Sequence, residues 1–446
     1  MAYKKQANSI VMAAVLFGTA NVVNAAGFAL IEQNASGMGN AFAGASAVAE
    51  DASTIYFNPA GMAYLPDSQL VVAAHAIRPS AEFSNNASRT ISALGTPTAM
   101  RGSGGGDAGD LTFIPNIYFA KAISDTVHLG IGINAPFGLK TEYDNGWVGR
   151  YSALKSELKT ININPAISYK ASERFSVGAG LNLQRAEATL TNALDFGTIC
   201  YGKVNPVTCS GVLNLTPQNA DGGINIKGDD WGWGYNFGAI FQPSQASRIG
   251  VAYRSRVHHT LEGSATFSNV PAALAAFTPN GSVTAKLVLP DSLSASIAHQ
   301  LNDQWELLAD ATWTHWATFK QLQVVRTSGT LLSNQPENWK NTMRYSIGAS
   351  YRYNEKLKLR AGVAYDESPV LDDFRTPRIP DNDRTWLSLG ASYKLSPSRS
   401  VDVGYTHLFV KEATLNQGAV GTSTGQLSGQ YDSDVNILSA QYTHAF

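Results

Sequence analysis

Few residues of this chain have the type and spacing that chemistry requires. Cys200 and Cys209, with eight residues between them, match no zinc pattern and have no histidine close in sequence. Outside the reducing cytosol such an even pair closes a loop as a disulfide. His258-His259 falls at the end of an extended segment with no second ligand at helical spacing, which fits solvated loop histidines. Gly37-Met38-Gly39-Asn40-Ala41-Phe42 lacks the third glycine of a dinucleotide fingerprint and follows no strand. Gly102-Ser103-Gly104-Gly105-Gly106 reads as a flexible linker within a long loop. We therefore expect no metal, no cofactor and no catalytic residue. Function has to be sought in the architecture.

Composition narrows that architecture. There are 33 basic and 34 acidic residues among 446, so no positive excess points to nucleic acid. Only 15% of residues are charged, against roughly 25% in an average soluble domain. Aromatics make up 10% and there are 40 glycines, yet the mean hydropathy of −0.11 is too polar for a helical membrane protein. A membrane protein without apolar helices has one physical form, the closed β-barrel.

The first residues read as a secretory signal. Lys4 and Lys5 precede an apolar stretch from Ile10 to Ala20, and Val23 and Ala25 supply the small exit residues. The apolar stretch is too short to span a bilayer. We expect residues 1–25 to be removed, with cleavage after Ala25.

Beyond residue 67 one device repeats: about ten residues of alternating polarity, then a turn or loop. Leu357, Leu359, Ala361, Val363 and Tyr365 alternate with Lys358, Arg360, Gly362, Ala364 and Asp366. The pattern predicts strands near 68–83, 112–122, 127–137, 156–169, 175–189, 231–242 and 248–260. It predicts seven more near 283–298, 304–319, 341–353, 357–366, 383–394, 400–410 and 431–446. Fourteen is an even number, and the connections alternate between short and long. Short turns at one end and long loops at the other describe an outer-membrane barrel, residues 68–446, with both termini on the short-turn, periplasmic side. The last strand alternates to a terminal Phe446, like the insertion signal of bacterial outer-membrane barrels. Trp305, Trp313, Trp316 and Trp386 would suit the interfacial girdles. Residues 26–67 do not alternate and are rich in Gly and Ala. A barrel this wide leaks unless filled, so this segment reads as an N-terminal plug, or hatch.

The motifs now gain meaning together. Ala26-Gly27-Phe28, Ser36-Gly37-x-Gly39, Glu50-Asp51-Ala52 and Asn58-Pro59-Ala60 run through the hatch. Gly138-Leu139-x-Thr141-Glu142, Tyr253-Arg254-Ser255, Asp366-x-Ser368-Pro369-Val370 and the run from Ile379-Pro380-Asp381 to Trp386-Leu387-Ser388 follow in the barrel. In that order they resemble the FadL family of outer-membrane transporters of long-chain fatty acids, across essentially the whole mature chain.

The resemblance implies a mechanism. A lipid lands among the extracellular loops, moves to a pocket lined by the N-terminal Phe, here Phe28, and leaves sideways through a kinked third strand. Asn58, Pro59 and Ala60 form the hatch motif, and Pro136, Phe137 and Gly138 the kink. Pro cannot donate to a ladder and Gly weakens one, so Asn134-Ala135-Pro136-Phe137-Gly138 permits a break. The two basic head-group positions of the family fall on uncharged residues near Leu190 and Gln335. Arg185, Lys340 and Arg344 are the nearby substitutes. Relatives pass monoaromatic hydrocarbons, so an uncharged substrate stays open. A lipid hydrolase with Ser and His on the barrel's outer face is the reading from another class. The expected partners are a hydrophobic small molecule, outer-membrane lipid and lipopolysaccharide, with the chain acting as a monomer.

Overall fold

The computed structural model describes residues 27–446. The predicted signal at 1–25, its cleavage site and Ala26 lie outside the described residues. Fourteen antiparallel staves form one closed wall. They begin with β1 (Ser68–Asn85), β2 (Thr112–Ala122), β3 (Val127–Asn134), β4 (Lys155–Ser172) and β5 (Phe175–Asp195). Then come β6 (Asp221–Ser244), β7 (Ser247–Arg254), β8 (Ser292–Gln300), β9 (Trp305–Thr314) and β10 (Thr342–Arg352). β11 (Leu357–Asp366), β12 (Arg384–Ser396), β13 (Arg399–Val410) and β14 (Gln426–Ala445) complete the circuit. Closure runs from Gln69↔Ala445 to Asn85↔Gly429, where the first and last strands pair. Each strand expected from the alternation has a counterpart, but the one expected near 283–298 is two strands split at Pro290-Asp291, and the one near 304–319 ends at Thr314. At the long-loop end β3 continues as Gly138–Glu142 and β7 as Val257–Ser268, while Gly281–Leu289 precedes β8.

The pleat explains the alternation. In β11, Leu359, Val363 and Tyr365 point outward and are 42–44% exposed, whereas Arg360, Gly362, Ala364 and Asp366 point inward and are buried or in close contact. This is an inside-out protein: its apolar face waits for hydrocarbon and its polar face meets the hatch. Two of the expected girdle residues obey a different rule. Trp386 shares the inward parity of Arg384 and Ser388, and Trp316 lies on a 3₁₀ turn that folds back over the lumen, so both are 1% exposed. Trp231 and Trp233, 50% and 72% exposed, occupy the outer face instead.

Residues 27–67 fill the lumen as short helical turns at Ala35–Met38, Ala45–Val48 and Thr54–Phe57, followed by Pro59–Tyr64. Small residues let them approach the wall; a Cβ at Gly238 would overlap the Asn58 side chain, and one at Gly362 the backbone of Asn40. The Asn-Pro-Ala motif is a tie. Asn58 Nδ2 donates to Ser46 O (2.7 Å) and to Ala239 O of β6 (3.1 Å), while its Oδ1 caps Ala60 N (3.1 Å). Nearer the short-turn end Glu50 accepts from Lys358 (2.6 Å) and Arg360 (2.8 Å), and Arg360 also donates to Asp402 (2.8 Å). Arg360 and Asp402 are almost fully buried.

Breaking a buried pair by removing one partner costs about 3–5 kcal/mol, whereas an exposed pair contributes about 0–1 kcal/mol. Arg360→Met should therefore lower the stability measured by urea unfolding from lipid vesicles by the larger amount. Lys358→Gln, whose only partner Glu50 is partly exposed and stays held by Arg360, should change it by about 1 kcal/mol or less. Equal losses would show that the clamp does not depend on the buried arginine.

Candidate functional site

The wall is broken at one place. The β2–β3 ladder ends at Ile117↔Ile133 and β3 itself at Asn134↔Asn162, after which Ala135-Pro136-Phe137 leaves the sheet. The strand resumes at Gly138 paired with β4 alone, while the upper part of β2 pairs with β1. A window therefore opens between β2 and the continuation of β3. Pro136 has no N–H to offer the ladder, and Thr160 of β4 serves Phe137 from the other side: Phe137 N donates to its Oγ1 (3.0 Å), which donates to Phe137 O (2.6 Å). The upper rim is closed by Glu142 N→Ala108 O (3.1 Å) and an ion pair between Lys140 and Asp110.

The start of the hatch stands behind the window as a short added strand. Leu30 N donates to Pro136 O and Gly138 N to Phe28 O, both at 2.8 Å, with Ala29 opposite Phe137. Gln33 Nε2 donates to Ala135 O (3.1 Å) and Asn116 Nδ2 to Glu32 O (2.9 Å). These contacts bring two expected elements together, Phe28 and the segment Pro136-Phe137-Gly138.

Phe28 occupies an aromatic box and is 2% exposed. Its ring centroid lies 4.7 Å from Trp316, 5.5 Å from Phe319, 5.4 Å from Trp339 and 6.2 Å from Phe137. The first two and Phe137 meet it edge-on, which suits aromatic quadrupoles. Gly27 takes φ +62°, where a side chain would be strained and would strike Trp339. Gly27 N donates to Asp381 Oδ2 (2.9 Å), and the same carboxylate accepts from Ser368 Oγ (2.7 Å) and pairs with Arg384. The Ser-Pro-Val and Ile-Pro-Asp runs thus form the socket that orients the hatch start.

Below the box lies a chamber of about 110 Å³. Leu30, Pro136, Phe137, Trp316 and Trp386 give it an apolar side. Arg254, Arg344, Thr312, Thr314 and Asp366 give it a polar one. Among the described residues neither arginine has a carboxylate within ion-pair distance. Arg254 donates to Tyr56 O (2.8 Å) and to Asn182; Arg344 donates to Ala41 O (2.7 Å), and its buried Nε has no acceptor.

The other basic residues expected to face the ligand do not reach the chamber. Arg185 has the outward parity of Leu181 and Leu183, and its guanidinium pairs on the outer face with Asp229 (3.1 Å). Lys340 is exposed in the loop before β10. Arg254 was visible only as part of a sequence motif, and Thr160 carried no sequence signal. Cys200 and Cys209 are bonded, joining the helical turns Phe196–Lys203 and Pro206–Gly211 of one long loop. Gly421-Thr422-Ser423-Thr424-Gly425 has the spacing of a hydrolase nucleophile motif, but it is an exposed turn leading into β14 rather than a strand-to-helix elbow.

Comparisons with known proteins agree with this geometry. A family model described as outer membrane protein transport protein (OMPP1/FadL/TodX) matches residues 16–446. The chain belongs to this family. The long-chain fatty acid transport protein of Escherichia coli K12 is 30% identical over 412 residues, 88% of this chain and 90% of that protein. A solved FadL homologue from Pseudomonas aeruginosa has a TM-score of 0.86 at 27% identity, over 94% of this chain and 99% of the other. The solved toluene transporter TbuX of Ralstonia pickettii shares the fold, with a TM-score of 0.65 at 21% identity over 93% and 100%. This member of the FadL/TodX family is an outer-membrane transporter of hydrophobic compounds.

One loop group gives the box a pH dependence. Glu337, 2% exposed, accepts from Trp339 Nε1 (3.1 Å), and burial pushes its carboxyl up to about 8 despite nearby Arg378. Its ordinary value is 4.5. The group is therefore neutral in the seated loop, and the seat is strongest below pH 4.5. It weakens by up to about 1.4 kcal/mol per pH unit as pH rises toward 8, then levels off. Protease cutting within residues 315–341 should increase over that window, and Glu337→Gln should flatten the profile. A wild-type profile independent of pH would remove Glu337 from this role.

Proposed function

We propose that the protein takes up long-chain fatty acids passively across the outer membrane, with the long loops outside and both termini in the periplasm. A fatty acid first meets the loops and then displaces Phe28 from the box. Its tail leaves through the window between β2 and β3 into the bilayer. The observation that carries the reading is the shared backbone pairing of the hatch start with the kink. The two hydrogen bonds that seat Phe28 are the ones that back the window, so moving the hatch start frees both.

Energetics favour a sideways exit. Each buried methylene is worth ~0.8 kcal/mol, so about sixteen hold a tail in apolar surroundings by roughly 13 kcal/mol. An axial exit into water forfeits this; a lateral one keeps it. The chamber, about 110 Å³ with Phe28 seated, is smaller than the ~150 Å³ cavity known to hold one benzene ring, so a long tail needs the box vacated. Arg344 and Arg254 are the candidate carboxylate contacts, since both are inward, unpaired by acids and in the chamber. No energised partner or cofactor is needed, and a single chain completes the path.

A second reading, uptake of monoaromatic hydrocarbons by the same route, is favoured by the box itself. Its present occupant is a phenyl ring held by four aromatic neighbours.

Labelled oleate and labelled toluene, supplied in parallel to bacteria lacking their own transporter, separate the two. Oleate should enter saturably, and deletion of Ala26–Phe28 should abolish this. Arg254→Met with Arg344→Met should cut oleate uptake at least tenfold while sparing any toluene entry. Toluene entry without oleate would move the function to hydrocarbons. Equal loss of both, or of neither, would remove the arginines from the head-group role.

A further inference from the structure

The outer face at the long-loop end carries charges that neither the hatch nor the chamber uses. β4, β5 and β6 are 18, 21 and 24 residues long, about twice the 9–11 that a tilted strand needs to cross a bilayer. Their surplus stands beyond the apolar belt. The outward positions of this surplus are Lys155, Glu157 and Lys159 on β4, Arg185 and Glu187 on β5, and Lys227 and Asp229 on β6. The continuation of β7 adds Glu262, and the strand before β8 adds Lys286. Register sets them side by side, with Lys159↔Glu187, Glu187↔Asp229 and Asp229↔Glu262. Immediately below come Ile161, Leu183, Trp231 and Trp233, all exposed. The charged grid gives way there to an aromatic-apolar belt, with Arg185 level with Ile161 and Trp231.

That position is informative. Basic side chains on the lipid face are costly at mid-membrane and nearly free at the interface, so the grid marks the headgroup layer. Lys159–Glu157 (2.9 Å) and Arg185–Asp229 (3.1 Å) pair within it, but exposed pairs of this kind add little to stability. Among the described residues Lys227 and Lys286 have no ion-pair partner. A surface that mixes cations with a row of adjacent carboxylates, Glu187, Asp229 and Glu262, complements one kind of lipid: a headgroup with several phosphates cross-linked by divalent cations. The ammonium and guanidinium groups take phosphate oxygens, and the carboxylates share the divalent ions with further phosphates. With the long loops outside, the grid lies in the outer leaflet, where that lipid is lipopolysaccharide.

We propose that the outward grid on β4 to β8 is a docking surface for the phosphorylated headgroup of lipopolysaccharide. The grid reaches the window, because Lys140, whose neighbour across the ladder is Glu157, is the residue that pairs with Asp110 over the rim. A lipid docked there stands beside the opening. This does not depend on which compound the chamber accepts.

The test uses the full chain in phosphatidylcholine nanodiscs, titrated with lipopolysaccharide and with the same lipopolysaccharide after dephosphorylation. Binding to the intact form should be at least tenfold tighter than to the dephosphorylated one. Lys159→Gln/Arg185→Gln/Lys227→Gln should lose at least tenfold of it. Lys170→Gln/Lys356→Gln/Lys394→Gln, which removes the same charge at the short-turn end, should stay within twofold of wild type. Lys227→Gln alone removes an unpaired side chain and spares the fold; it should still lose affinity about threefold. Wild-type affinity in both grid variants, equal binding of the two lipid forms, or an equal loss in the short-turn variant would each overturn the proposal.

Discussion

A wall facing hydrocarbon cannot leave backbone groups unpaired, and β3 leaves its ladder at Ala135-Pro136-Phe137. The accounting at that break governs the rest of the molecule. Thr160 takes both groups of Phe137. Leu30 N takes the carbonyl of Pro136, Phe28 O takes the amide of Gly138, and Gln33 takes the carbonyl of Ala135. Three of the five groups therefore find their partner in the hatch. Its first residues complete a membrane wall that cannot complete itself, which fixes where Phe28 must lie and why the box surrounds it.

The same accounting sets the scale of any movement. Two or three backbone hydrogen bonds contribute about 0.5–1.5 kcal/mol each, and burying Phe28 about 3–5 kcal/mol. Under the proposed uptake, a tail that buries ten methylenes in the vacated space would gain roughly 8 kcal/mol, of the same size as these terms. The rest of the hatch is held differently. Asn58 is hydrogen-bonded to β6, and Glu50 is locked between Lys358 and Arg360. On the proposed mechanism, a ligand would lift only the first turn of the hatch, while these contacts keep the rest of the plug in the lumen.

Much of this was legible in the residues. All fourteen staves follow from period two, and their loop lengths distinguish the two ends. Pro136 and Gly138 flank the break because one cannot donate and the other pairs weakly. Parity was the signal least exploited. Arg185 belongs to the outward set of Leu181 and Leu183, and Trp386 to the inward set of Arg384, so alternation alone assigns one to the surface and the other to the lumen. Trp316 and Trp339 resisted such reasoning because they sit on loops, where no period exists. Thr160 is one of many threonines, and only the geometry of the kink gives it meaning. Glu337 is acidic on a long loop, ordinarily a solvated position, and its burial depends on a hairpin that the sequence does not mark.

The inward arginines divide by partner. Arg360 and Arg384 have carboxylates at contact distance, and both secure hatch or socket. Arg248, Arg254 and Arg344 have none; Arg248 holds the hatch carbonyl Val48 O (2.6 Å), and the other two face the chamber. Taking a guanidinium out of water is costly unless an opposite charge replaces the water, so a purely structural arginine is better served by a fixed acid. Arg344 instead rests on backbone carbonyl Ala41 O, and its buried Nε–H has no acceptor. Such an arrangement is costly in the empty chamber, and under the proposed function an entering carboxylate would offset that cost. The hatch contact at Ala41 also ties that arginine to the plug, so under the proposed uptake a carboxylate drawing Arg344 toward itself would pull on the hatch.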